Sequence, residues 1–245
     1  RDSSKISGGV VKQSRTNNLR FDVENILKNI SKKTKIIFIA QPNNPTGFYL
    51  SKQELKLLIT KVPKKIIIII DAAYSEYVTD KDYSNGIDFA KRHKNIIVTR
   101  TFSKIFGLAS LRLGWCYAHN DIIQLMNKVR GPFNINQIAQ TAGVEALKDK
   151  KYIKNSINHN KFWLRKMNNE LSKLPIQVCD SRANFLLLNI GKSVKILNRF
   201  LLSKSVIVRL MDKYNLPQYI RVSIGTSKEN KKFIKSMNCL LYTSD

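Results

Sequence analysis

Acidic residues are scarce in this chain. Only 17 Asp and Glu stand against 43 Lys and Arg, leaving a formal charge of +26 over 245 residues. Cysteine is scarcer still: Cys116, Cys179 and Cys239 are odd in number and lack metal-ligand spacing. They imply neither a disulfide framework nor a zinc site, and they suit a reducing cytoplasm. No run of about twenty apolar residues occurs, so no membrane span is expected. The opening "RDSSKISGGV" has no apolar centre of the kind a signal peptide needs and no initiator methionine. The chain is therefore expected to be a fragment that begins inside a structural element.

The excess of positive charge raises the question of nucleic acid, since basic stripes release counterions from phosphates. Here lysines fall in every segment, as in "KNISKKTK", "KVPKK" and "NKKFIK", rather than in one block. Lys, Ile and Asn are all heavily used, as a coding bias would produce. No helix-turn-helix, zinc-finger or RNA-recognition pattern accompanies them. No nucleic-acid partner is expected, although a basic nucleic-acid-binding protein remains the rival from a different class.

Hydrophobic residues make up 43% of the chain, enough for a globular core rather than a disordered segment. "KIIFIA" (35–40) and "KIIIIID" (65–71) are continuous apolar runs suited to strands buried on both faces. Between them Ser51 and Glu54 form a capping-box pattern ahead of a helix. "NIIVTR" (95–100) and "LRLGWCYA" (111–118) read as further strands. Strand–helix–strand units of this length predict a mostly parallel sheet in an α/β layer.

From residue 120 the text turns helical, with a long helix expected from Tyr152 to Leu174 and stopped by Pro175. "IQVCD", "FLLLNI", "SVIVRL" and "YIRVSIG" then read as strands, with helices over "SVKILNRFLLSK" and "SKENKKFIKSMN". The expected division is a large domain over 1–150 and a long linking helix with a smaller α+β domain over 151–245. The closing "CLLYTSD" does not continue the preceding helical pattern and is set aside as a scar.

Open α/β sheets bind ligands beyond the carboxyl ends of their strands. Three segments sit at such ends. Asn43, Asn44, Pro45 and Gly47 follow the first strand, where a plain turn would use the same residues. Asp71 ends the isoleucine strand, with Tyr74 three residues on. A helix N-cap could explain that carboxylate, but a cationic ligand atom explains better its place after so apolar a run. Lys104 follows Thr101 and Ser103, with Arg112 eight positions further on. An unprotonated lysine in a closed pocket can form a Schiff base with an aldehyde, and Arg112, Thr101 and Ser103 could hold a phosphate. A solvated surface turn is the alternative.

Together, "NPTG" (44–47), "DAAY" (71–74) and "SK…R" (103, 104, 112) closely resemble the hallmarks of fold-type I pyridoxal-phosphate aminotransferases. "VRGPFNINQIAQTAGVEAL" (129–147) and "SVIVRLMDKYNLPQYIRVSIGT" (205–226) resemble the branch acting on histidinol phosphate. The likeness runs from about residue 8 to 237. Missing are the family's glycine-rich phosphate loop, its cofactor-stacking aromatic and its amino-terminal arm, as in the later two thirds of such an enzyme.

The resemblance implies a three-layer, mostly parallel sheet domain, incomplete here, plus the smaller α+β domain. It implies pyridoxal 5′-phosphate as cofactor, an amino donor and a 2-oxo acid as small-molecule partners, and a homodimer when complete. Lys104 would carry the cofactor and move the substrate proton, with Asp71 facing the pyridine nitrogen. Asn44 and Tyr74 would bond the phenolic oxygen, while Arg112, Ser103 and Thr101 would anchor the phosphate. Arg221 would grip the substrate's anionic end and Arg209 would give a second phosphate contact. Asn134 and Asn184 would line the pocket. Rivals on the same framework are aromatic or branched-chain aminotransferases and threonine-phosphate decarboxylases; an inactive remnant is a third reading.

Overall fold

The computed structural model describes residues 8–241. The leading "RDSSKIS" and the closing "YTSD" lie outside the described residues. Strands β1 (Ile36–Ala40), β2 (Ile67–Asp71) and β3 (Ile96–Thr101) run parallel, and β4 (Gly114–Tyr117) pairs antiparallel with β3 at the edge. The sheet is thus mostly parallel. Helices α1 (Val23–Lys28), α2 (Lys52–Lys61) and the short α3 (Ile87–Ala90) belong to this unit.

The capping box forms as its sequence predicts. Ser51 Oγ accepts from the Glu54 amide and the Glu54 carboxylate accepts from the Ser51 amide at 2.7 Å. Leu55, Leu58 and Ile59 of α2 then pack on Ile39, Ile68, Ile70, Ile96 and Val98. Each such side chain, taken from water, contributes about 1.5–3 kcal/mol. Where isoleucine fills both faces, a one-residue slip changes little in the apolar pattern. The polar terminator therefore helps to set β2's register: Asp71 pairs with Ala40 on one side and Thr99 on the other.

The expectation of strands buried on both faces holds only in part. Ile68 and Ile70 are fully buried, whereas Ile67 and Ile69 are half-buried. On β1, Ile36 and Phe38 are exposed. Among the described residues the helices cover one face of this edge strand, and its other side chains meet solvent.

Helices α4 (Asn120–Val129) and α5 (Gln137–Lys148) follow, then the long α6 (Lys150–Leu171). The long helix begins two residues before Tyr152, because Asp149 caps it by accepting from the Tyr152 amide at 2.8 Å. It ends at Leu171, three residues before Leu174, so Pro175 lies in the following turn rather than at the stop. Beyond it β5 (Gln177–Cys179), β6 (Phe185–Asn189), β7 (Arg209–Leu210) and β8 (Tyr219–Ser223) form an antiparallel sheet in the order β5-β6-β8-β7. Helices α7 (Val194–Ser203) and α8 (Ser227–Leu241) complete this unit. Its core joins Trp163, Met167 and Leu171 of α6 to Leu186, Leu188, Leu197, Leu201, Ile220 and Phe233. Helix α8 runs on through Cys239–Leu241, so "CLL" continues the helix rather than departing from it. Among the described residues no helix is long and apolar enough to cross a membrane, and no group of His, Cys, Asp and Glu could hold a metal ion.

Candidate functional site at the strand ends

The carboxyl ends of β1, β2 and β3 lie side by side, and the loops leaving them carry the residues singled out by sequence. Asp71 accepts from the Ala73 amide at 3.2 Å, and Thr99, its register partner on β3, also bonds the carboxylate. The carboxylate still meets solvent, yet the protein around it withholds enough water to raise its pKa. The two hydrogen bonds and the nearby Lys104 charge oppose that rise without cancelling it. Burial without full pairing favours the arrival of a cationic atom opposite Asp71.

Tyr74 is buried at 5% exposure. Lys104 Nζ lies over its ring, 5.1 Å from the centroid, a cation–π contact that orients the amine. Phe185 of β6 also meets Tyr74 edge-on, with centroids 5.4 Å apart and planes at 87°. The Arg221 guanidinium in turn lies 4.8 Å from the Phe185 centroid, and its Nη1 donates to Asn44 Oδ1. Lys104, Tyr74, Phe185, Arg221 and Asn44 thus form one connected line from the first sheet to the second and back.

At the end of β3, the Ser103 amide donates to Thr101 Oγ1 at 3.0 Å, and Arg112 Nη1 donates to Ser103 Oγ at 3.3 Å and to the Ala109 carbonyl at 2.7 Å. Arg112 itself adopts a left-handed backbone, φ 52°, which swings its side chain back toward Ser103. A guanidinium, a hydroxyl and a turn are assembled there on an exposed surface, the donor set that a phosphate requires.

Arg209 and Arg221 are paired directly across β7 and β8. Burial lowers the pKa of Arg221 and the charge of Arg209 adds to that, against the opposing influence of Tyr74. Arg221 Nε is buried with no hydrogen-bond partner. A desolvated cation with an orphaned donor beside a second cation has the chemistry to attract an anion.

Asn134 is not brought to this line. It lies on an exposed turn and accepts from Arg130 Nη1 at 2.9 Å. Asn184 enters β6 next to Phe185, where its carbonyl accepts from the Ile224 amide at 2.9 Å.

Several contributors had no local signature. Phe185 supplies the ring between Tyr74 and Arg221. Glu76 and Arg100 form an ion pair behind the site, each side chain only 12% exposed. Arg182 takes a bifurcated hold on Asp80 through Nε, at 3.0 and 3.1 Å. Burial alone would lower the Arg182 pKa, but its bonds to Asp180 and Asp80 outweigh that and raise it.

The family model for aminotransferase class I and II matches residues 1–237. The chain is 45% identical over 241 residues to a histidinol-phosphate aminotransferase of Pelagibacter ubique, covering 97% of this chain and 67% of that protein. It is 39% identical over 226 residues to that of Maricaulis maris, covering 91% of this chain and 62% of that one. Across five such curated relatives the chain spans 60–67% of their length. Among solved structures, the histidinol-phosphate aminotransferase from Clostridium acetobutylicum superposes with a TM-score of 0.92 at 27% identity, covering 98% of this chain and 74% of that one. The enzyme from Sinorhizobium meliloti in complex with pyridoxal-5′-phosphate shares the fold, with a TM-score of 0.88 at 22% identity, covering 97% of this chain and 66% of that one. With that match across nearly its whole length, the chain belongs to the class I and II aminotransferases.

Proposed function

We propose that the protein is a pyridoxal-phosphate-dependent aminotransferase. It takes the amino group of histidinol phosphate and passes it to 2-oxoglutarate, giving imidazole acetol phosphate and glutamate. The observation that carries this reading is the Arg209–Arg221 pair with its orphaned Nε, placed in one line with Lys104 through two aromatic rings. Both substrates bring an anionic end, and a guanidinium pair suits either. The names of the curated relatives support the choice of donor.

The residues present fit the cofactor: a carboxylate stands at the end of β2, and an amine and a guanidinium–hydroxyl set follow the end of the adjacent β3. When bound, pyridoxal phosphate supplies an aldehyde that receives the amino group and a ring that takes up the electron pair left on the substrate carbon. Arg112, Ser103 and Thr101 would hold the phosphate. Asp71 would face the ring nitrogen and favour its proton, and a cation there would offset the burial that resists ionisation of Asp71. Asn44 and Tyr74 would donate toward the phenolic oxygen. Lys104 would hold the cofactor through its amine and would move a proton at the substrate carbon. Arg221 would orient the substrate by its anionic end, with Arg209 beside it, and Asn184 would line the pocket; Asn134, on an exposed turn, takes no part.

We further infer that the complete protein works as a homodimer in the cytoplasm. Val129 and Phe133 present apolar side chains at 85% and 97% exposure, which supports burial against a second copy. Sedimentation showing only monomer at assay concentrations would sink that part. For the activity, glutamate formation from 2-oxoglutarate is measured with histidinol phosphate as donor. Phenylalanine, leucine and threonine phosphate run alongside. Preference for one of these overturns the choice of donor, and loss of carbon dioxide from threonine phosphate overturns amino transfer.

A further inference from the structure

The turn that carries Asn44 is fused to the segment entering β6. Gly47 has φ +78°, and a Cβ placed on it would stand 2.2 Å from Ser181 Oγ and 2.8 Å from Ser181 Cα. The Gly47 amide donates to the Asn43 carbonyl at 2.7 Å, closing the turn, and the Gly47 carbonyl accepts from the Arg182 amide at 3.0 Å. Arg182's side chain then reaches a third segment. Its Nε meets both oxygens of Asp80, and Nη1 meets Asp180. The loop bearing Asp80 is itself tied to the same turn, since Tyr49 Oη donates to Asp82, Tyr83 Oη to the Gln41 carbonyl and the Lys52 amide to the Asp82 carbonyl. Three residues after Arg182 comes Phe185, whose ring lies beneath Arg221.

We propose that Arg182 is a positioning residue whose ion pair with Asp80 sets how the turn carrying Asn44 sits against the strand carrying Arg221, and so tunes the grip on the substrate's anionic end. Arg182's side chain is engaged by Asp80, Asp180 and the Ser181 carbonyl, and it is not among the residues assigned to cofactor or substrate. Both partners keep some contact with solvent, at 36% and 28% side-chain exposure. Such a pair contributes little to global stability. Its effect is on placement, because a small displacement of an oriented group is felt in binding far more than in folding. The tuning part rests on the aminotransferase reading; the strap itself does not.

The test compares wild type with Arg182→Ala, Asp80→Asn, Arg182→Lys and the charge swap Arg182→Asp with Asp80→Arg, all in the full chain. Amide hydrogen exchange at Gly47 and Arg182 should quicken about fivefold in the two single deletions, the scale of one exposed but well-aligned pair. KM for the anionic amino donor should rise about fivefold with kcat within about twofold, since grip is lost without loss of chemistry. Arg182→Lys and the swap should recover part of both. Unchanged exchange overturns the strap. A fall in kcat with KM unmoved overturns the tuning. A wild type that transfers no amino group overturns the functional reading and the tuning with it, while the exchange rates still decide the strap.

Discussion

Arg209 and Arg221 stand directly opposite each other on β7 and β8, two guanidinium groups in one cross-strand pair. Like charges so placed destabilise a sheet by roughly 0.2–1 kcal/mol, and an anion set between them reverses the sign. Arg209→Gln should therefore stabilise the ligand-free chain by about 0.5 kcal/mol. It should also remove most of the stabilisation that inorganic phosphate gives to wild type. Thermal unfolding with and without phosphate reads both effects, and equal phosphate stabilisation in the two proteins would break the argument.

Asp71 separates function from stability. Its folded pKa is raised chiefly by burial. A carboxyl raised in the folded state lends stability that is fully present below its unfolded pKa of about 4 and is lost as pH rises through the folded value. Asp71→Asn, which resembles the protonated form, should be more stable than wild type near pH 7, with the gap closing as pH falls toward 4. The same variant should lose turnover by at least about a hundredfold, because an amide cannot hold the ring nitrogen protonated. Denaturant midpoints across pH, beside steady-state rates, check the two halves; near-normal turnover would remove Asp71 from its role.

Lys104 is expected to be the site of covalent attachment. Addition of pyridoxal phosphate followed by borohydride should label the protein irreversibly, with peptide mapping placing the label on Lys104. Lys104→Ala should lose the label and the amino transfer together. A label on another lysine, in a chain with so many, would redirect the assignment.

Gly47→Ala meets two obstacles at once: a left-handed backbone at φ +78° and the Ser181 side chain at 2.2 Å. A loss of about 1–3 kcal/mol is expected. Adding Ser181→Gly should return the side-chain share of the clash and leave both the backbone part and the approach to the Ser181 Cα at 2.8 Å. Urea unfolding of the two variants would show no recovery if the close approach is not the cause.

Much of this was open to reading from the chain because it is local. The capping box at Ser51 and Glu54 needs only two residues three apart. The strand ends at Ala40, Asp71 and Thr101 follow from apolar runs that stop at polar residues. Asn44, Asp71, Tyr74, Lys104 and Arg112 all fall at those ends. Phe185 and Arg182 were not legible, since their partners Tyr74 and Asp80 lie more than a hundred residues away. Both ends of α6 also differ from the sequence reading: Asp149 caps its start two residues before Tyr152, and its end at Leu171 falls short of Pro175. β7 shrank to Arg209–Leu210 because only those residues find partners on β8.

Asn44 and Arg221 are 177 residues apart along the chain, yet their side chains meet. Each sheet with its own helices closes over shorter spans of sequence, so loop-closure entropy opposes this junction more than either core. The line through Phe185 is therefore expected to form late in folding and to open first under native conditions, at lower free energy than either apolar core. The seam where the two units meet is also where both ligands are proposed to lie. Access to it would then need only a local opening, with both cores left folded.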